Sequence, residues 1–406
     1  MRLPILLFLC GTILCAQEKI HERKEFEDSL NRDSIISLNE KGKFRTIEGM
    51  FHTGGHIYGG ESLKPDLHQF YSTTLKFGWQ NTKKGNWSEY YGTPTYGFGL
   101  YAGNIGNREV FGNPRAVYAW MTFRTSKYWR RNTFQITPHL GLTYQLAKYD
   151  PVVNPDNDAI SSNVSLYFDM EFSFAYQLNR ELDLVYGIDF MHSSNGRLKV
   201  PNFGLNMLGL NLGLRYYYNR GQKDYDPYVY SGKVLPSRYH KVPKKKNEIL
   251  KESTITTYFA VGNVENYKDE DMAEDESVRY WTSSVALDYN FQYNTMISFT
   301  AGLDYFWDSS LETQYPDKKD WSLIGIHGGA DYNFWKMAIR FQAGTYLTDD
   351  RGKHKFFMRP ALLYSVNDWL KIQVGLKTRH GAGADWIEWG IAFVPFRWGG
   401  MERIKD

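Results

Sequence analysis

Apolar and polar residues alternate along most of this chain with a period of two. Val164, Leu166, Phe168, Met170, Phe172, Phe174 and Tyr176 alternate with Ser165, Asp169, Glu171, Ser173 and Gln177. Trp281, Val285, Leu287, Tyr289, Phe291 and Tyr293 alternate with Thr282, Ser284, Asp288, Asn290 and Gln292, and Met337, Ile339, Phe341 and Ala343 with Lys336, Arg340 and Gln342. Successive side chains of a strand point to opposite faces, so each stretch predicts a strand with one apolar and one polar face. Repeated segments of about ten residues with this pattern are the signature of a transmembrane barrel, which must close because lipid offers no partner to a strand edge.

About sixteen such segments begin near residues 47, 67, 89, 115, 131, 163, 181, 204, 254, 279, 295, 320, 336, 354, 368 and 385. Tight links at Leu178-Asn179, Asn294-Thr295, Trp335-Lys336 and Asn367-Asp368 alternate with longer polar loops at 102–114, 148–162, 268–277 and 309–318. Short periplasmic turns and long outer loops are expected of such barrels, and this phase puts both ends of the barrel chain in the periplasm. One connection breaks the rhythm: 221–253 is long, polar and basic, with Lys244-Lys245-Lys246, and divides the strands eight and eight. The predicted fold is therefore an all-β transmembrane antiparallel barrel of about sixteen strands, with two eight-stranded barrels as the alternative. A soluble sandwich also alternates, but seldom sustains so many aromatic-rich strands with paired loop lengths.

Composition narrows the class. For 406 residues a length prior suggests two or three ordinary domains. Yet aromatics make up 17%, with 30 Tyr and 36 Gly, the mean hydropathy is negative, and no later stretch approaches the ~18 apolar residues a membrane helix needs. Met1-Arg2, the apolar run Leu3 to Leu14, and Cys15-Ala16-Gln17 read as a cleavable signal peptide. Leu9 and Leu14 precede the two cysteines, which argues against a lipoprotein anchor, and both cysteines leave with the signal. The mature chain would then hold no disulfide and no Cys-based metal site. No metal or cofactor is expected, and a net charge of +3 is too small to suggest nucleic acid. The expected organisation is a signal peptide at 1–16, a periplasmic lead-in at 17–46, barrel strands at 47–220, the basic connection at 221–253, further strands at 254–398 and a tail at 399–406.

Candidate chemistry comes from polar residues on the apolar face. On the strand 181–194 the even positions run Leu182, Leu184, Tyr186, Ile188 and Phe190, and end in His192 and Ser194, while Asp183 and Asp189 fall on the lumen face. On the next strand the same face begins with Asn206 and continues Leu208, Leu210, Leu212 and Leu214. With strand 181–194 running outward, the three polar groups gather toward the outer leaflet. His192 and Ser194 share a face, and an antiparallel neighbour delivers a third group beside them. Imidazole can take the serine proton as attack begins, and a third side chain holding the other ring nitrogen completes that logic. The intervening loop, Asn195 to Asn202, offers backbone N–H groups and two amides for an oxyanion.

The stretch His192-Ser193-Ser194-Asn195-Gly196-Arg197-Leu198-Lys199, followed by Pro201-Asn202, Gly204 and Asn206, resembles the signature of the lipid A 3-O-deacylase (PagL) and acyloxyacyl-hydrolase-like family, as does Asn157-Asp158-Ala159-Ile160-Ser161-Ser162 upstream. The resemblance spans roughly 115–220. It implies an outer-membrane serine esterase whose site faces lipid and removes an ester-linked acyl chain from lipid A. Carried onto this chain, His192 is the base, Ser194 the nucleophile, and Asn195 and Asn202 the oxyanion candidates. Arg197 and Lys199 are candidates for gripping lipid A phosphates, although snorkelling would explain them equally well. The family's enzymes place a glutamate where this chain has Asn206. An amide oxygen still orients the ring but cannot stabilise imidazolium with charge, and in a serine triad a carboxylate-to-amide change costs ~10⁴ in turnover.

Weaker features compete with these. His380 also ends an apolar row and reads as interfacial. Asp156, Asn157 and Asp158 lack the glycine and terminal glutamate of a calcium loop and read as a turn. A non-enzymatic, porin-like or structural barrel is the rival reading, favoured by Asn206 and the added strands, and a phospholipase barrel is a third.

Overall fold

The computed structural model describes residues 43–57, 68–81, 87–124, 132–179, 181–218, 249–267, 277–314, 320–348, 350–379 and 383–399. The expected signal peptide, the basic run Lys244 to Lys246, the acidic loop at 268–276 and His380 lie outside them. Among the described residues, sixteen strands carry the alternation. The first eight are β1 (Lys43–His56), β2 (Phe70–Asn81), β3 (Thr95–Asn104), β4 (Gly112–Arg124), β5 (Asn132–Leu146), β6 (Ser165–Gln177), β7 (Leu182–Ser194) and β8 (Leu205–Tyr217). The second eight are β9 (Ile249–Tyr267), β10 (Ser277–Asn294), β11 (Ile297–Asp308), β12 (Ser322–Phe334), β13 (Met337–Tyr346), β14 (Phe356–Ser365), β15 (Leu370–Arg379) and β16 (Gly383–Gly399).

The single wide barrel is not what forms. β8 turns back onto β1, in register from Thr46↔Tyr217 to His56↔Met207, and closes a ring of eight. β16 pairs with β9, from Trp389↔Val261 to Gly399↔Glu252, and closes another. The fold is thus two closed eight-stranded antiparallel barrels. The physical reason lies inside them, because an eight-stranded ring leaves an interior just wide enough for side chains to fill. In the first barrel Lys76 of β2 reaches Glu171 of β6 at 2.8 Å, and Arg215 of β8 reaches Gln135 of β5 at 3.0 Å and also bonds Glu48 of β1. In the second, Arg340 of β13 meets Asp288 of β10 at 2.9 Å and Asp331 of β12 at 2.8 Å. Arg359 of β14 likewise spans Asp304 of β11 and Glu388 of β16, each at 2.9 Å. Side chains that meet across a lumen in this way leave no room for the channel of a sixteen-stranded ring.

Burial is inverted relative to a soluble protein. Lys76, Arg215, Glu171, Arg359 and Lys377 are fully enclosed, whereas Phe98, Leu212, Leu303 and Phe341 are each more than half exposed. Charges inside are tolerated because they are paired and hydrogen-bonded. Among the described residues, no helix is long and apolar enough to cross a membrane.

Local chemistry sets the strand ends. Asn179, Asn294 and Asn367 each accept two backbone N–H groups just ahead of the next strand, at 2.8 to 3.0 Å, in turns that a short amide closes well. β3 starts at Thr95 rather than near 89, because Trp87–Tyr91 winds into a 3-10 turn. β9 begins at Ile249, inside the stretch read as connection. The residues separate into two compact units. One is the first barrel, and the other holds the second barrel together with segments 148–162 and 194–204.

Candidate active site

Alternation on β7 places His192 and Ser194 on the outer face, with Asp183, Asp189, Met191 and Ser193 turned inward. Asp189 is enclosed and bonds His52, so it takes no part in chemistry on the outer face. β7 and β8 pair so that His192 lies directly opposite Asn206. Both face outward, and the imidazole Nδ1 sits 2.7 Å from the Asn206 Oδ1. An amide oxygen accepts, so Nδ1 carries the proton and Nε2 presents its lone pair. That is the tautomer a general base needs.

Ser194 ends β7, and the chain turns immediately. Gly196 adopts φ 64° and Arg197 φ 68°, a left-handed pair in which only the glycine is at ease. The turn aims the Gly196 N–H at the Ser194 Oγ, 3.2 Å away, and the Asn202 side-chain N–H donates to the same oxygen at 2.8 Å. The Asn202 Oδ1 accepts in turn from the Asn195 N–H at 3.2 Å. Two donors therefore converge on the hydroxyl oxygen.

The remaining candidates divide. The Asn195 side chain is buried and committed, its Nδ2 donating to the Ser161 Oγ and to the Lys199 carbonyl, both at 3.1 Å. It braces the loop and does not point at the serine oxygen. Arg197 is buried too. Its guanidinium pairs with Asp385 at 3.3 Å and bonds Asn266, so its charge is already answered within the protein. Burial and the neighbouring Arg379 pull its pKa below the ordinary arginine value, against the opposing pull of Asp385 and Asp308. Lys199 is half-buried and makes no ion pair among the described residues. Likewise His192 and Ser194 bond to these other partners rather than to each other. Asn157 accepts the Ile160 N–H at 3.3 Å within a turn.

Segment 148–162 supports the same loop. The Phe203 N–H donates to the Asp158 carbonyl at 3.2 Å and the Gly204 N–H to the Ala159 carbonyl at 3.0 Å. Ser161, Glu265, Asn266 and Asp385 are contacts that sequence reasoning missed. Ser161 lay within the upstream motif but had no role there, and the other three are distant in sequence and carry no local signal. Among the described residues no group of three His, Cys, Asp or Glu is arranged to hold a metal ion.

Residues 73–215 match the family model described as lipid A 3-O-deacylase (PagL), and residues 253–398 match that of the acyloxyacyl hydrolase C-terminal domain. The chain belongs to the PagL family. Together the two matches cover most of its length and include β7, its following loop and β8 as far as Arg215. Among solved structures it is similar to neisserial surface protein A at 11% identity, over 44% of this chain and 100% of that one, with a TM-score of 0.31. It is also similar to a de novo designed transmembrane β-barrel, at 15% identity over 35% and 95% of the two chains, with a TM-score of 0.23. Omp33 of Acinetobacter baumannii matches at 6% identity over 86% and 97%, with a TM-score of 0.16. Likeness at these scores carries no weight for fold or function. No curated protein matches the chain.

Proposed function

We propose that this PagL-family protein is an outer-membrane serine esterase that removes an ester-linked acyl chain from lipid A or a closely related membrane lipid. The observation that carries the reading is the gathering of a histidine, its orienting amide and a doubly donated serine at one end of β7 and β8, on the face that is otherwise apolar. A polar site facing hydrocarbon suits a substrate that lives in the membrane.

In the proposed reaction the Ser194 Oγ attacks the ester carbonyl carbon while the His192 Nε2 takes the hydroxyl proton. The carbonyl oxygen becomes an oxyanion held by the Asn202 Nδ2 and the Gly196 N–H, which now stand within reach of the serine oxygen. Collapse expels the glycolipid alkoxide, protonated by His192, and leaves an acyl-serine. Water, deprotonated by the same imidazole, then releases the fatty acid and restores the serine. Lys199 is the cation left to meet a lipid phosphate, since Arg197 is taken up by Asp385 and Asn266. Export would use the signal peptide at 1–16.

The test compares lipid A acylation by mass spectrometry in a host of known lipid A structure. Wild type should release an acyl chain and Ser194→Ala should not. Identical spectra from the two would overturn the reading. A non-enzymatic barrel is the competing reading, and Asn206 is the residue that favours it. It would gain support if wild type and Asn206→Glu both left lipid A intact.

A further inference from the structure

We propose that Glu265 and Asn266 of β9, together with Asp385 of β16, are positioning residues for the segment that holds the oxyanion donors. This rests on the reading of Ser194 as nucleophile, and it gives residues of the C-terminal match a duty in the reaction. All of the contacts involved lie within the second compact unit, which includes 194–204.

The segment has few means of fixing itself. The Leu198 N–H reaches the Asn195 carbonyl at 3.3 Å, and the Asn195 and Asn202 amides close the two ends on each other. Between those ends Arg197 stands in the left-handed region, which a side chain with a Cβ adopts only where its surroundings over-determine it. The surroundings are the three residues named. Asp385 and Asn266 take the two terminal nitrogens of the guanidinium. The Glu265 N–H donates to the Arg197 carbonyl at 3.3 Å, and the Glu265 Oε2 accepts the Val200 N–H at 2.9 Å. Close packing reinforces the hold. A Cβ on Gly196 would come within 2.6 Å of the Ile387 side chain, so a larger residue there would push against β16.

Each anchor lies next to an oxyanion donor. Arg197 follows Gly196, whose N–H meets the Ser194 Oγ, and Val200 lies two residues before Asn202, whose amide meets the same oxygen. A donor contributes to the transition state only if it is already aimed, and displacement of about 1 Å costs on the order of 10² in rate. Removing an anchor should therefore lower kcat and leave substrate binding nearly unchanged.

Asp385 also binds Lys353 at 2.6 Å and Lys377 at 2.7 Å, so replacing it disturbs a buried charge cluster, and the test uses its neighbours. Full-length protein in outer-membrane vesicles is assayed for acyl release from lipid A, alongside hydrogen–deuterium exchange of amides 195–202. Glu265→Ala and Asn266→Ala should lower kcat by roughly 10- to 100-fold with KM within about twofold. In both variants exchange at 195–202 should quicken. Glu265→Gln keeps an oxygen for the Val200 N–H and should restore both readouts. Folded protein is selected by its heat-modifiable mobility. Unchanged exchange and unchanged kcat in the alanine variants would overturn the inference, as would equal losses in Glu265→Gln and Glu265→Ala. An inactive wild type with slow exchange that quickens in Glu265→Ala would sink the esterase reading and leave the anchoring itself in place.

Discussion

At the scale of the residue, Asn206 sets how much catalysis the proposed mechanism can deliver. Its oxygen fixes the tautomer of His192 but brings no charge to meet the imidazolium that forms during attack. Asn206→Glu should raise acyl release by up to about 10⁴-fold, the size of the carboxylate-to-amide loss in serine triads, as read by single-turnover kinetics. Asn202→Ala removes one of the two donors on the serine oxygen and should lower kcat by roughly 10² to 10³ with little change in KM. Stability has its own critical residues in the lumens. Arg340 answers both Asp331 and Asp288, so Arg340→Ala strips buried Asp331 of its guanidinium partner and leaves Asp288 to His327. That should cost about 3–5 kcal/mol and lower the temperature at which the folded band is lost on a gel. Of the residues proposed for catalysis, His192, Ser194 and Asn206 are legible in the sequence because each interrupts an apolar row. Arg197 was legible as a cation and misleading as to its partner, since its sequence neighbours say nothing of Asp385.

At the scale of the element, alternation fixes the faces and turn chemistry fixes the ends. The sixteen strands fall close to the positions their period predicts, and the departures have local causes. The aromatic run Trp87 to Tyr91 packs as a 3-10 turn, with Trp87 against Tyr91 and Tyr96, and so delays β3. Segment 148–162 bears on the candidate site, because the Asp158 and Ala159 carbonyls and the Ser161 Oγ accept hydrogen bonds from the 194–204 loop. Its tip is closed by Asp150, whose carboxylate accepts the Val152 and Val153 N–H groups and is held below its usual pKa by them. A carboxylate with a depressed folded pKa lends its stabilisation above the unfolded value and loses it as pH falls through the folded one. Protection of the Val152 and Val153 amides, taken as the exchange rate relative to the intrinsic rate at each pH, should accordingly hold at neutral pH and fall on acidification through and below the ordinary aspartate range. Asp150→Asn should remove that dependence.

At the scale of the whole molecule, the consequence is two closed rings of eight in place of one ring of sixteen. Among the described residues, Lys76–Glu171, Arg340–Asp288 and Arg359–Asp304 reach across the lumens of the two rings. Purified protein in planar bilayers should show no porin-sized steps, whereas stable conductance at that level would contradict two closed rings of eight. Sequence by itself determined what repeats locally: the period of two, the inward and outward faces, the Asn-led turns and the polar cluster at the end of an apolar row. All of these follow from the geometry of one strand and its nearest neighbours. Only the tertiary structure decided which strand returns to pair with β1, because closure is a choice between distant partners that the alternation satisfies equally well. It also decided that the loop after Ser194 leans on Glu265, Asn266 and Asp385, since a side chain's partner across the fold is set by packing in space and leaves no periodic mark on the chain.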